Sequence, residues 1–278
     1  MTNTYLEYFK IGFKKSIEYK SYIFGVLTTP LFMGFFFYYI WQYIYQIKYE
    51  AAIKAGEFVG NLSQFTIGGF TFNEMLVYLI IGLLINASRS ADISNRISEV
   101  IKSGDIATYL CRPVNFVKSL LFENMGGKVI NLFVFIILLI IMTKLFSLPY
   151  PKGSIFIIFI FYALLMILFD IILYILIGGL SFWFVEIWGI RASIEQVLWI
   201  LSGRVLPLSL FPIWAQTFIS YTPFMYLEYT FARLYLGKLS IYEALHAMGI
   251  FVFWIFILSL LMILLYKKGF KKLEAYGG

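Results

Sequence analysis

Six long apolar runs, at residues 22–45, 72–87, 129–148, 155–185, 194–210 and 245–266, constrain this chain more than any other feature. At roughly 20 residues per helical span, 278 residues hold about six spans and leave no room for a sizeable soluble domain. With 61% hydrophobic and 13% charged residues, a soluble fold would carry more apolar side chain than it could hide. The expected fold is therefore all-α: a polytopic membrane protein with six transmembrane helices, forming a single transmembrane domain over 1–278.

Two of the runs are weak. The second is short, and the fifth is interrupted by Glu195, Arg204 and Pro207. A central arginine costs about 2.5–3.5 kcal/mol on insertion, so the fifth run is marginal alone and needs neighbours. Charge distribution argues for keeping it, since lysine and arginine mark the cytosolic side. With six spans and both termini inside, fifteen basic residues fall on the inner side and seven on the outer side or its adjoining membrane. Five spans would place Lys267, Lys268, Lys271 and Lys272 outside.

The polar segments are patterned too. In 1–20, Leu6, Phe9, Phe13 and Ile17 share a narrow helical arc opposite Glu7, Lys10, Lys14, Lys15 and Glu18, which describes a helix lying along the membrane surface. The run from Tyr22 is too long and too aromatic, and lacks a nearby small-residue cleavage site, for a cleaved signal peptide. Within the island 89–128, Ile93, Ile97, Val100 and Ile101 take one helical face and Asp92, Arg96, Glu99 and Lys102 the other. Ser103, Gly104 and Asp105 then read as a stop, and Arg112-Pro113 as a new helix start. This segment is expected to be a cytosolic docking helix. Residues 211–235 are apolar yet punctuated by Pro212 and Pro223, with Pro207 just before. Short helices that dip into the outer leaflet and return, packed on protein, satisfy both facts.

Catalytic chemistry finds little to build on. His246 is the sole histidine, which leaves zinc sites and Ser/His/Asp triads without components. Gly126-Gly127-Lys128 lacks the upstream glycine and the following Ser/Thr of a phosphate loop, with Phe122 and Val129 in their places. Cys111 has no disulfide partner, Asn61-Leu62-Ser63 is a three-residue sequon of the kind that arises by chance, and the basic charge follows membrane topology, so no nucleic-acid partner is needed. Asp170 is the ionisable residue placed deep in an apolar run. It must face protein or water, with Tyr174 one turn away as a candidate donor. A contact between helices or protomers and a place on a substrate or proton path both remain open for it.

Three stretches then carry a resemblance: Phe13-Lys14-Lys15-Ser16-Ile17-Glu18-Tyr19-Lys20; Ile101-Lys102-Ser103-Gly104-Asp105-Ile106-Ala107-Thr108-Tyr109-Leu110-Cys111-Arg112-Pro113; and Ser202-Gly203-Arg204-Val205-Leu206-Pro207-Leu208-Ser209-Leu210-Phe211-Pro212, followed by Pro223-Phe224 and Leu236-Gly237-Lys238. In order and spacing they resemble the permease subunit of type-two ABC transporters, encoded beside a separate ATPase and often a second permease. The resemblance implies a permease dimer, identical or related in its two halves, on a pair of ABC ATPase subunits. This chain would have no cofactor and no enzymatic activity, with ATP and magnesium held by the partner. It also implies a coupling element at Ile93, Arg96, Ile97, Glu99, Val100, Ile101, Lys102, Gly104 and Asp105, a second inner contact in a turn at 186–195, and re-entrant outer helices at 211–235. Asp170, Tyr174 and Arg204 are candidates for the pathway or the dimer contact. The expected function is ATP-driven export of a lipid-like or amphipathic substrate across a bacterial plasma membrane. The rivals are a secondary transporter or channel, which calls for paired intramembrane charges or broken helices, and a lipid-modifying membrane enzyme, for which no His/Asp/Glu cluster is present.

Overall fold

The computed structural model describes residues 2–18, 20–87, 89–111, 113–145, 151 and 153–276. Its elements are α1 (Thr2–Glu18), α2 (Lys20–Lys54), a ribbon of β1 (Thr66–Ile67) and β2 (Phe70–Thr71), α3 (Phe72–Ala87), α4 (Ala91–Lys102), α5 (Ile106–Leu110), α6 (Phe116–Leu145), α7 (Ser154–Gly179), α8 (Trp188–Leu201), α9 (Ile213–Ser220), α10 (Glu228–Tyr235) and α11 (Ile241–Tyr276). The chain is thus nearly all helix.

Local chemistry sets several of the boundaries. Thr71 N–H donates to Glu74 Oε2 at 2.8 Å, and Glu74 N–H lies 3.5 Å from Thr71 Oγ1, a capping box that opens α3. Ser240 and Glu243 repeat it at the start of α11. Asn115 Oδ1 accepts from the Lys118 N–H at 3.0 Å and opens α6. The polar island accordingly ends near Asn115, not at residue 128, and Glu123 and Lys128 belong to a membrane-length helix because partners on other helices satisfy them.

Among the described residues, four helical runs are long and apolar enough to cross a membrane: Phe72–Lys102, Phe116–Ile141, Ile155–Phe182 and Ile241–Lys272. The first contains α3 and the amphipathic α4, parted by non-helical Arg89 and Ser90. The expected first span falls inside the 35-residue α2, several of whose side chains lie outside the described residues, as do Arg112 and the 146–148 end of the third span. The fifth expected span is corrected. Its helix runs from Trp188 to Leu201, so 186–195 is not a turn, and its 14 residues reach about 21 Å, short of a hydrocarbon core of about 30 Å. Gly203 (φ +81°) stops the chain just beyond it, where a Cβ would come within 2.6 Å of the Tyr78 hydroxyl.

Packing then fixes two ends. At one, α1 crosses α6 so closely that a Cβ on Gly12 would meet the Glu123 carbonyl oxygen at 1.7 Å, and one on Gly126 would meet that of Phe9 at 2.0 Å. This is the small-residue contact of membrane helices, and it accounts for the glycine pair Gly126-Gly127. Lys15 ties α1 to Glu123 on α6, Lys102 reaches Glu186, and Lys272 near the end of α11 donates to the Phe182 carbonyl. Both chain ends therefore lie at the α4 end of the molecule. At the other end the ribbon is held by Tyr45 donating to the Phe70 carbonyl, Ser209 to Gly68 and Lys238 to Gly69. Leu6, Phe13 and Ile17 of α1 stay exposed, as a helix resting on lipid requires.

Candidate functional site

Between those ends the chain breaks its helices and buries charge. The Tyr78 hydroxyl donates to the Gly203 carbonyl at 2.5 Å, which anchors the turn after α8 beneath α3. The next residue, Arg204, aims its Nε at both oxygens of Glu228, at 2.8 and 2.9 Å, and its Nη1 at Asn86 Oδ1, at 2.6 Å. Glu228 is 1% exposed and is the first residue of α10, where the helix dipole favours a negative charge. Ser202 Oγ donates to it at 3.1 Å, and Arg89 Nη2 approaches at 3.3 Å. One carboxylate thus serves two arginines from different parts of the sequence.

A second charge pair lies across α6 and α7. Lys128 Nζ stands 3.7 Å from Asp170 Oδ2, beyond direct hydrogen-bond distance. Between this pair and Arg89 is a small pocket with a cavity volume of about 60 Å³, walled by apolar side chains such as Leu132, Phe135 and Phe231. Phe231 of α10, one of those walls, stacks on Phe159 of α7 at 4.4 Å between centroids.

The α4 helix is anchored on its own chain. Ile93, Ile97 and Ile101 are buried, Ile97 at 0% exposure, and Gly178 of α7 is where Ile97 sits, since a Cβ there would come within 2.9 Å of it. Val100 is half-buried, while Glu99, Lys102, Gly104 and Asp105 are exposed. Arg96 Nη1 donates to Glu123 Oε1 at 2.7 Å, the same oxygen that Lys15 reaches at 2.6 Å. Arg191 at the start of α8 donates to Asn95 Oδ1 at 2.7 Å and lies 3.8 Å from Glu195, which accepts from the Tyr174 hydroxyl at 3.0 Å.

The apolar architecture, the short broken helices and this anchored amphipathic helix meet a match at the family level: a model described as ABC-2 family transporter protein covers residues 58–277. The chain belongs to the ABC-2 transporter family. No curated protein matches it. It is accordingly a multi-pass membrane transport subunit, the permease of an ABC transporter, and a partner ATPase follows from the family in general.

For this ABC-2 permease, two expectations from the sequence change. The isoleucine face of α4 does not await a partner's cleft, because α7 already covers it. The outward edge is the polar one, from Glu99 through Lys102, Gly104 and Asp105. Tyr174 donates to Glu195 rather than to Asp170, whose partner is Lys128. Arg204 and Asp170 are not brought together, and each belongs to its own pair.

Glu228, Arg89, Lys128 and Glu123 escaped the sequence reading. The available signal was sign: Arg204 and Glu228 are opposite charges in neighbouring, sparsely charged apolar stretches, and such charges pair. Glu123 and Lys128 were hidden by their place in the polar island 89–128.

Proposed function

We propose that this permease is the membrane half of an ATP-driven exporter, working as a dimer with an identical or related chain on a pair of ATPase subunits. The α4–α5 end would face the cytosol, where both termini and the basic clusters sit, and the ATPase would engage Glu99, Lys102, Gly104 and Asp105. The observation that carries this is the mounting of α4: its apolar face is locked onto α7 at Gly178 and its Arg96 is tied to α6 through Glu123. A push on its polar edge would move those membrane helices instead of bending a loop. The hairpin of α9 and α10 would be the re-entrant outer element, with its two 8-residue helices of about 12 Å each. ATP and magnesium belong to the partner, and this chain's own work is alternating exposure of the pathway. Apolar pocket walls suit an amphipathic cargo.

A carrier needing no ATPase is the second reading, favoured by the paired buried charges and broken helices at 202–240. Purification in mild detergent followed by ATPase assay decides between them. Exporter function predicts a co-purifying ATPase whose recovery falls with Glu99→Arg combined with Lys102→Glu. Undiminished transport without any ATPase would establish the carrier instead.

A further inference from the structure

We propose that the cavity between the last turns of α6 and the first turns of α7 binds an anionic phospholipid of the bilayer, with one acyl chain inside and the headgroup phosphate at Lys144. The place is the end of the molecule away from α4, since Thr143 lies about 30 Å along α6 from Glu123. The cavity volume is about 330 Å³, at the lower end of the roughly 300–1,000 Å³ of ligand sites, which suits one chain and not two. It shares no lining residue with the small pocket at Arg89. Leu139, Phe159 and Tyr235 give it a buried floor, while Ile140 and Phe156 are exposed at its lip. Those lip residues belong to membrane-length helices, so the cavity opens sideways onto hydrocarbon, where lipid and not water is the neighbouring solvent.

Charge and hydrogen bonding select the head. Lys144 lines the cavity, is exposed, and forms no ion pair among the described residues. No Asp or Glu occurs between Glu123 and Asp170, so neither helix end nor the connection between them supplies a carboxylate. A lysine at a helix end extends its ammonium to headgroup level, where an anionic lipid is the available counter-charge. Independently, the Thr143 and Tyr235 hydroxyls stand 3.0 Å apart in the cavity wall. Their shared hydrogen bond uses one of two hydroxyl hydrogens, and neither oxygen has another partner among the described residues, so one O–H is left to donate. The ester oxygen of a glycerolipid, one step inward from the phosphate, is an acceptor of that kind. Occupation would fill the space between α6, α7 and α10 and hold α10 in place through Tyr235 and through Phe159, on which Phe231 stacks. The site stands apart from the export reading and would serve a transporter of either direction.

The test titrates the purified transporter in a neutral maltoside detergent with dioleoyl phosphatidylglycerol, or with dioleoyl trimethylammonium propane, which has the same ester-linked chains and a cationic head. Bound lipid is counted by native mass spectrometry. The anionic lipid is expected to bind saturably, one per permease chain, and about tenfold more tightly than the cationic one. Lys144→Gln should weaken the anionic lipid by about tenfold and leave the cationic one unchanged, and Lys144→Arg should preserve the preference. Lys14→Gln, an exposed lysine of α1 at the opposite end, should change neither. Thr143→Val with Tyr235→Phe should weaken both lipids alike, by about threefold, because both carry the ester. Leu139→Trp, which fills the cavity, should abolish the saturable site. Equal affinity for the two lipids, or Lys14→Gln acting as strongly as Lys144→Gln, would overturn the proposal. So would rapid disulfide cross-linking of two permease chains by Ile140→Cys in a Cys111→Ser background, which would show that a second copy and not lipid covers the lip. If Leu139→Trp does not accumulate, the lipid pair and the two lysine variants decide.

Discussion

Arg204 and Glu228 bind each other through two oxygens and a guanidinium while 10% and 1% of their side chains, respectively, are exposed. Their shared environment makes the order of damage predictable. Removing one partner of such a pair costs about 3–5 kcal/mol because the survivor is left buried and uncompensated. Glu228→Gln leaves two arginines facing a neutral amide, so it should destabilise most. Arg204→Met should cost less, since Arg89 remains at 3.3 Å, and Arg89→Met least of the three. Thermal unfolding in detergent, read as loss of monodisperse protein, checks the ranking. Arg89→Met proving worse than Glu228→Gln would contradict Glu228 as the centre of the cluster.

The membrane class, the short second apolar run and the amphipathic α4 were legible because hydropathy and helical period act locally. The orientation of α4 was not. A face of isoleucines looks the same whether it meets a partner or its own chain, and only the approach of Gly178 to Ile97, far apart in sequence, distinguishes them. The extent of the fifth helix was misjudged for a similar reason: its stop is the left-handed Gly203 held by Tyr78, a contact across 125 residues, while the apolar run continues past it. Gly126-Gly127 looked like half a nucleotide loop and is a helix crossing.

Ile97→Asp should therefore act on folding before it acts on any partner. A carboxylate at a fully buried site against Gly178 has no counter-ion supplied, and the loss should exceed about 3 kcal/mol. Glu99→Arg with Lys102→Glu should leave the unfolding temperature nearly unchanged, since surface changes shift stability by about 0.5 kcal/mol or less, and should lower ATPase recovery. Normal accumulation and stability of Ile97→Asp would show that the α4–α7 contact is dispensable.

Glycine positions give a paired contrast. Gly126→Ala puts a Cβ 2.0 Å from the Phe9 carbonyl oxygen, so α1 must lift from α6, taking Lys15 away from Glu123. Trypsin should then cut at the α1 lysines faster than in the wild type. Gly249→Ala in α11 has nothing within 4 Å of the new Cβ and replaces a poor helix former, so it should be neutral or stabilise by up to about 1 kcal/mol. Equal trypsin sensitivity of Gly126→Ala and wild type would mean that α1 does not depend on this crossing.

Orientation can be read with a residue already present. Cys111 is the single cysteine and is exposed just beyond α5, at the end where both termini gather. If lysine and arginine hold that end inside, a membrane-impermeant maleimide should leave Cys111 untouched in intact cells and label it after permeabilisation. Val59, 95% exposed in the segment between α2 and the ribbon, supplies the complement: Val59→Cys in a Cys111→Ser background should label from outside without permeabilisation. The two positions lie at opposite ends of the molecule, so a six-span or any other even-span arrangement with inner termini requires opposite answers from them. Labelling of Cys111 in intact cells, with Val59→Cys protected, would invert the orientation and place Glu99, Lys102 and Asp105 out of reach of any cytosolic ATPase.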